Sequence, residues 1–135
     1  MKKQDFFFNK ICKSFPKKFK FPKKKIYLTL LLSNNKRIKR LNKKFRNKNI
    51  HTDILSFPFH QLSKNSKEIY LGDIIISYNY MNKPKNLSNF DFKKKVTKIF
   101  IHGFLHLLGF DHYKDKNFKK MFNEEKKIFK SVQKL

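Results

Sequence analysis

A chain of 135 residues is enough for one domain around one core and leaves little over for a second. Its 34 Lys and Arg against 9 Asp and Glu give a net charge of +25, which attracts polyanions and makes nucleic acid the leading partner. Cys12 is the only cysteine, which excludes an intrachain disulfide and a thiolate metal cluster and fits a reducing cytoplasm, and no apolar run approaches the roughly 20 residues needed to span a bilayer.

In chain order, residues 1–24 are a short, basic, Phe-rich segment of a single domain spanning 1–135. A helix over Asp5 to Ser14 would bury Phe7, Phe8, Ile11 and Cys12 before Pro16 and Pro22 stop it. Asp5, Asn9 and Lys10 interrupt the apolar stretch that a signal peptide would need behind Lys2 and Lys3. Lys17 to Lys25 mixes Lys with Phe19 and Phe21 and reads equally as an RNA-contacting strip or as a solvated linker; no clean amphipathic period lays it on a membrane. The excess of Lys, Asn, Ile and Phe is also what an A+T-rich coding sequence produces, so the charge supports RNA binding without proving it.

Ile26 to Leu32 is short and apolar, which predicts a buried strand. Ser33 or Asn34 caps the next helix, which carries Ile38, Leu41 and Phe45 at spacings of three and four and ends near Arg46 to Asn49. Thr52 to Phe59 and Ile69 to Ser77 read as a hairpin joined by the polar loop from Gln61 to Lys67. Ser88 or Asn89 caps a central helix with Lys93 to Lys95 on its wet side; from Ile99 to Leu108 it is apolar in almost every direction, which predicts enclosure. Gly103 within it suits an element passing close by. Asp115 to Gln133 is a last amphipathic helix burying Phe118, Met121, Phe122, Ile128, Phe129 and Val132. No internal repeat interrupts this order. The expected fold is α/β (α+β): one domain with a small mixed sheet, the enclosed helix on one face, and a site in a cleft between that helix and the hairpin.

The chemistry concentrates in the string from His102 to His112. His102 and His106 lie one helical turn apart on one face, so both imidazoles can reach one point. Gly109 suits a left-handed residue at the helix end, and His112 follows where the chain can fold back to close a three-nitrogen metal site. Zinc takes three protein ligands and keeps an open position when it does chemistry, and takes four when it is structural, so three histidines point to catalysis. The spacing is also that of the metzincin peptidases, but their general-base Glu is replaced by Gly103, which disfavours peptidase activity. A phosphodiester transition state needs a positioned cation, for which Arg46 is the best candidate. Asp111 can accept from a ligand imidazole or brace the turn; Asp53 and Asp73 can bond backbone or face the cleft. Ser56 is a cleft hydroxyl without a neighbouring base, His51 and His60 are surface loop residues, and no general base is identified.

The same string resembles the signature H-G-x-L-H-L-x-G-Y-D-H of the YbeY family, bacterial metal-dependent endoribonucleases of ribosomal RNA maturation, with Phe110 at the Tyr position. Leu41-Asn42 with Phe45-Arg46, Thr52 to Phe59, and Leu71-Gly72-Asp73-Ile74 fall at the family's L-N…[YF]-R, T-D-V-L-S-F-P-F and L-G-D-I, so the resemblance covers roughly residues 26 to 129. It implies a cytoplasmic zinc-dependent endoribonuclease with one Zn2+ per chain on His102, His106 and His112, and catalytic roles for Arg46, which takes the place of the family's cleft arginine, and for His102. The implied work is single-strand-specific cleavage in 16S ribosomal RNA 3′-end maturation and ribosome quality control. Its implied partners are the small ribosomal subunit, a small-subunit ribosomal protein and an assembly GTPase, with no membrane. The N-terminal segment is shorter than the family's first strand and helix, so a missing edge strand is expected. The alternative is a ribosome-assembly RNA-binding module in which zinc only clamps the last two helices to the core.

Overall fold

The alternation of the segment from Glu68 to Ser77 slips by one residue at Gly72, and the sheet is built around that slip. The computed structural model describes residue 8 and residues 10–19, 25–59 and 67–133. The chain runs β1 (Lys25–Ser33), α1 (Asn35–Arg46), β2 (Ile54–Pro58), β3 (Glu68–Ser77), α2 (Tyr78–Met81), α3 (Asn89–Leu107) and α4 (Asp115–Gln133). The sheet has the order β1-β3-β2, with β3 parallel to β1 and antiparallel to β2, so the expected hairpin and mixed sheet are both present. Ile69 and Leu71 enter the main core from the first half of β3, and Ile74 and Ile76 from the second. Odd and even positions can share a face only across an inserted residue, and the register skips there: Tyr27 lies opposite Tyr70, but Thr29 lies opposite Asp73. Gly72 has φ +137°, and a Cβ on it would collide with the Phe57 carbonyl oxygen, so the bulge requires glycine.

The sheet is covered on both faces. On one, α3, α4 and the N-terminal helical turn at residues 10–13 pack over β3, with Phe100, Ile101, Leu105, Met121 and Ile128 almost wholly buried. On the other, α1 lays Ile38 and Leu41 against Leu31, Leu55, Phe57 and Ile75. Double coverage explains why β3 reads as a nearly continuous apolar run. Gly103 lets α3 approach closely: a Cβ there would stand 2.6 Å from Ile54 Cδ1, and its carbonyl accepts the Ser56 hydroxyl at 3.1 Å.

Asn34, Ser88 and the 115–133 bounds of the last helix fall where sequence reasoning expects them. Three expectations are corrected. The first strand is not buried: β1 is an edge strand among the described residues, and its Lys25, Tyr27 and Thr29 face water because no described strand flanks it on one side and α1 covers only its far end. Phe45 is 59 % exposed and touches Phe57 only edge-on. Phe118 and Phe122 are exposed on α4, whose buried stripe is Met121, Ile128 and Val132. Lys95 is half-buried, and its ammonium donates to the carbonyls of Tyr80 and Lys83.

Of the expected N-terminal helix, residues 10–13 are helical, Ile11 and Phe15 are buried, and the Phe8 and Phe100 rings lie 4.9 Å apart; Phe7 lies outside the described residues. Burial pushes the Cys12 thiol up to about 11, so it stays protonated and unreactive. Of the Lys17 to Lys25 strip, residues 20–24 lie outside the described residues, and Lys18 pairs with Glu124 at 2.7 Å, joining the segment to α4. No helix among the described residues is long and apolar enough to cross a membrane.

Candidate metal centre

The end of α3 is a complete Schellman turn. Phe110 N–H donates to the Leu105 carbonyl at 3.1 Å and Gly109 N–H to the His106 carbonyl at 3.0 Å, with Gly109 at φ +96°. A Cβ on Gly109 would meet nothing within 4 Å, so backbone conformation alone selects glycine. The turn carries the chain back over its own last turn, which sets the Phe110 carbonyl 2.8 Å from His106 Nδ1 and brings His112 to the face holding His102 and His106.

The three imidazoles converge. Ring centroids are 4.6 Å apart for His102 and His106, 5.1 Å for His106 and His112, and 5.5 Å for His102 and His112. Each offers one ligand atom, and these atoms all lie within 4.8 Å of one another; among the described residues they are the group of this kind. The tautomers follow from the outer partners. His106 Nδ1 faces a carbonyl, which only accepts, so Nδ1 carries the proton and Nε2 a lone pair. His102 Nδ1 faces the Glu125 carboxylate at 2.7 Å, which fixes the same tautomer. The two Nε2 atoms are 3.1 Å apart, so two lone pairs confront each other unless a cation lies beside them. Two rings held by their outer nitrogens with Nε2 turned inward, and a third ring beside them, are the donor set that a borderline-soft divalent ion takes, and the residues fit a metal. Burial first, and then the charge of neighbouring His102, hold His106 below its ordinary range, against the opposing pull of the Phe110 carbonyl.

Arg46 comes from the opposite face of the sheet. Asn42, buried in α1, donates to the Ile50 carbonyl at 3.0 Å and fixes the loop that leaves the helix. From that last turn the Arg46 guanidinium reaches the β2 edge, donates to the Ser56 carbonyl at 2.6 Å and lies 5.6 Å from the Phe57 ring centroid. Ser56 is in turn bonded to Gly103, one residue from His102, and the Arg46 charge is among those that hold His106 down. The other candidates are engaged elsewhere. Asp111 accepts from Tyr113 N–H and braces the turn, Asp53 accepts from the Thr52 hydroxyl, and Asp73 from the Tyr70 hydroxyl. Ser56 is buried, His51 is exposed, and His60 lies outside the described residues. Sequence reasoning missed Glu125. It stands 23 positions beyond His102 on another helix, a separation with no fixed spacing to reveal it.

Residues 1–133 match the family described as Endoribonuclease YbeY. An Endoribonuclease YbeY from Pelagibacter ubique is 64% identical over 132 residues, covering 98% of this chain and 86% of the relative. One from Fusobacterium nucleatum is 35% identical over 108 residues, covering 78% of this chain and 67% of the relative. The solution structure of a Thermotoga maritima protein aligns over 98% of this chain and 85% of that one, with a TM-score of 0.56 and 27% identity. Sequence match, mixed sheet and histidine-bearing helix agree, and the chain belongs to the Endoribonuclease YbeY family.

Proposed function

We propose that this chain is a zinc-dependent endoribonuclease that cuts single-stranded RNA in 16S ribosomal RNA 3′-end maturation and ribosome quality control. The observation that supports it most is the convergence of His102, His106 and His112, whose ligand atoms all lie within 4.8 Å of one another. One Zn2+ would be held by these three histidines, supplying a Lewis acid that polarises a phosphoryl oxygen and makes water a nucleophile near neutral pH. The protein's own groups do the rest. Glu125 and the Phe110 carbonyl hold the His102 and His106 rings in one tautomer, so that His102 serves as ligand and as part of the catalytic machinery. Arg46 uses one donor on Ser56 and keeps others of its five N–H groups for the phosphate, where its fixed positive charge offsets the charge that develops in the transition state.

In this reading the substrate is ribosomal RNA on the small ribosomal subunit in the cytoplasm, and a small-subunit ribosomal protein and an assembly GTPase deliver the enzyme to it. The test is metal removal from purified protein. Chelation should abolish cleavage of a single-stranded RNA while the melting temperature falls only slightly. Unfolding on chelation, with RNA bound but never cut beforehand, would instead identify a clamp in an RNA-binding module.

A further inference from the structure

Two phenylalanines stand in water on α4 beside the histidine cluster. Phe118 is 53 % and Phe122 45 % exposed, with ring centroids 6.0 Å apart and planes 9° from parallel. At about 100° per residue, Glu125, Phe118, Phe122, Lys126 and Lys119 fall in that angular order within roughly a third of the helix circumference, which Phe129 and, in the first turn, Asp115 share. One margin of that strip is the Glu125 carboxylate, bonded to His102 at 2.7 Å. The other is cationic, with the Lys126 ammonium 4.2 Å from the Phe122 centroid. The flat aromatic surface therefore lies between the histidines and a row of lysines. At its N-terminal end Tyr113, 72 % exposed, sets its ring 5.5 Å from that of His112.

Parallel exposed rings, bordered by cations on the side away from the metal ligands, suit a ligand with flat apolar faces and regularly spaced negative charge. A single nucleic-acid strand has both: unpaired bases offer π-faces for stacking, and phosphates lie within reach of lysines. A duplex does not, because its bases are already stacked on one another. The net charge of +25 is complementary to such a strand.

We infer that Phe118 and Phe122 form a base-stacking platform that holds unpaired nucleotides flanking the scissile phosphodiester, with Lys119 and Lys126 on their phosphates. This rests on the reading of the chain as an endoribonuclease. The platform makes the enzyme select single strands, because only a splayed base can occupy it. It adds nothing to the chemistry at the metal.

The test is binding by metal-stripped full-length protein, read by fluorescence anisotropy, of a single-stranded RNA and of an abasic strand with the same number of phosphates. The wild type should bind the base-bearing strand at least about tenfold more tightly. Phe118→Leu with Phe122→Leu, which keeps apolar surface but removes the rings, should erase that difference while leaving abasic binding and the melting temperature unchanged. Phe118→Tyr with Phe122→Tyr should restore it. With metal present, the Leu variant should raise KM and leave kcat within about twofold. Equal wild-type affinity for the two strands, or an undiminished preference in the Leu variant, overturns the platform and leaves the nuclease reading standing. Failure of the wild type to bind or cut any RNA overturns both.

Discussion

Glu125 decides how well the histidines can act together, because it is the charged acceptor that holds a ring nitrogen on its outer side. Replacing it by Gln keeps the shape and removes the charge that makes His102 Nε2 a strong donor. Outer acceptors of this kind typically contribute 10–100-fold in metal affinity, so Glu125→Gln should weaken zinc binding by about tenfold or more, measured by competition with a chromogenic chelator, with little change in far-UV circular dichroism. An unchanged affinity would reduce Glu125 to a surface contact. His106 makes a prediction about pH. Its proton affinity is lowered in the fold, chiefly by burial, from an ordinary pKa of 6.5. The unfolded chain then takes up a proton that the folded one resists, so stability is fully present above about 6.5 and is lost as pH falls through that value towards the lower folded one. Urea midpoints of metal-free protein should drop between about pH 7.5 and pH 5.5, and His106→Gln should flatten the drop. Equal midpoints in the wild type would contradict this.

Two glycines set how α3 meets its neighbours, and they act differently. At Gly109 there is open space and only the positive φ matters, so Gly109→Ala should destabilise by about 1–2 kcal/mol and shift His112. At Gly103 φ is ordinary and space is the constraint: a Cβ would press on Ile54 Cδ1, Ser56 Oγ and Ile74 Cγ2 at 2.6, 3.1 and 3.3 Å. Gly103→Ala should cost about 1–3 kcal/mol from overpacking, partly offset by better helix propensity, and should separate His102 and His106 from Ser56. Thermal melts of both variants check these signs, and a stabilised Gly103→Ala would mean that α3 has room to spare.

These elements also separate what the sequence made legible from what it did not. The histidine face and the Gly109 turn were readable because helical spacing and left-handed φ are local properties. The bulge at Gly72 was not, since the segment reads only as apolar on both sides of Gly72-Asp73 until the register with β1 is known. Phe118 and Phe122 were assigned to the core because their spacing continues the apolar stripe of α4. The surface that α3 offers is narrower than that stripe, so its border is left in water.

At the scale of the molecule, α1 and α3 hold opposite faces of one sheet, yet both reach Ser56 on β2: Arg46 at its carbonyl from one side, and Gly103, next to His102, at its hydroxyl from the other. The placement of these groups thus depends on the three layers staying in register, which explains why they are scattered over more than 60 positions of sequence. The surrounding charge of +25 predicts binding governed by counterion release, with affinity for single-stranded RNA falling at least about tenfold between roughly 50 and 200 mM salt. A flat salt dependence would mark the lysines as compositional.

The most direct measurement is metal content and RNA cleavage on the same preparations of wild type and of His102→Ala with His106→Ala. The wild type should carry one equivalent of zinc and cut a single-stranded RNA, and the double variant should lose both while keeping its helical spectrum. Cleavage persisting in a folded, metal-free double variant would contradict the account.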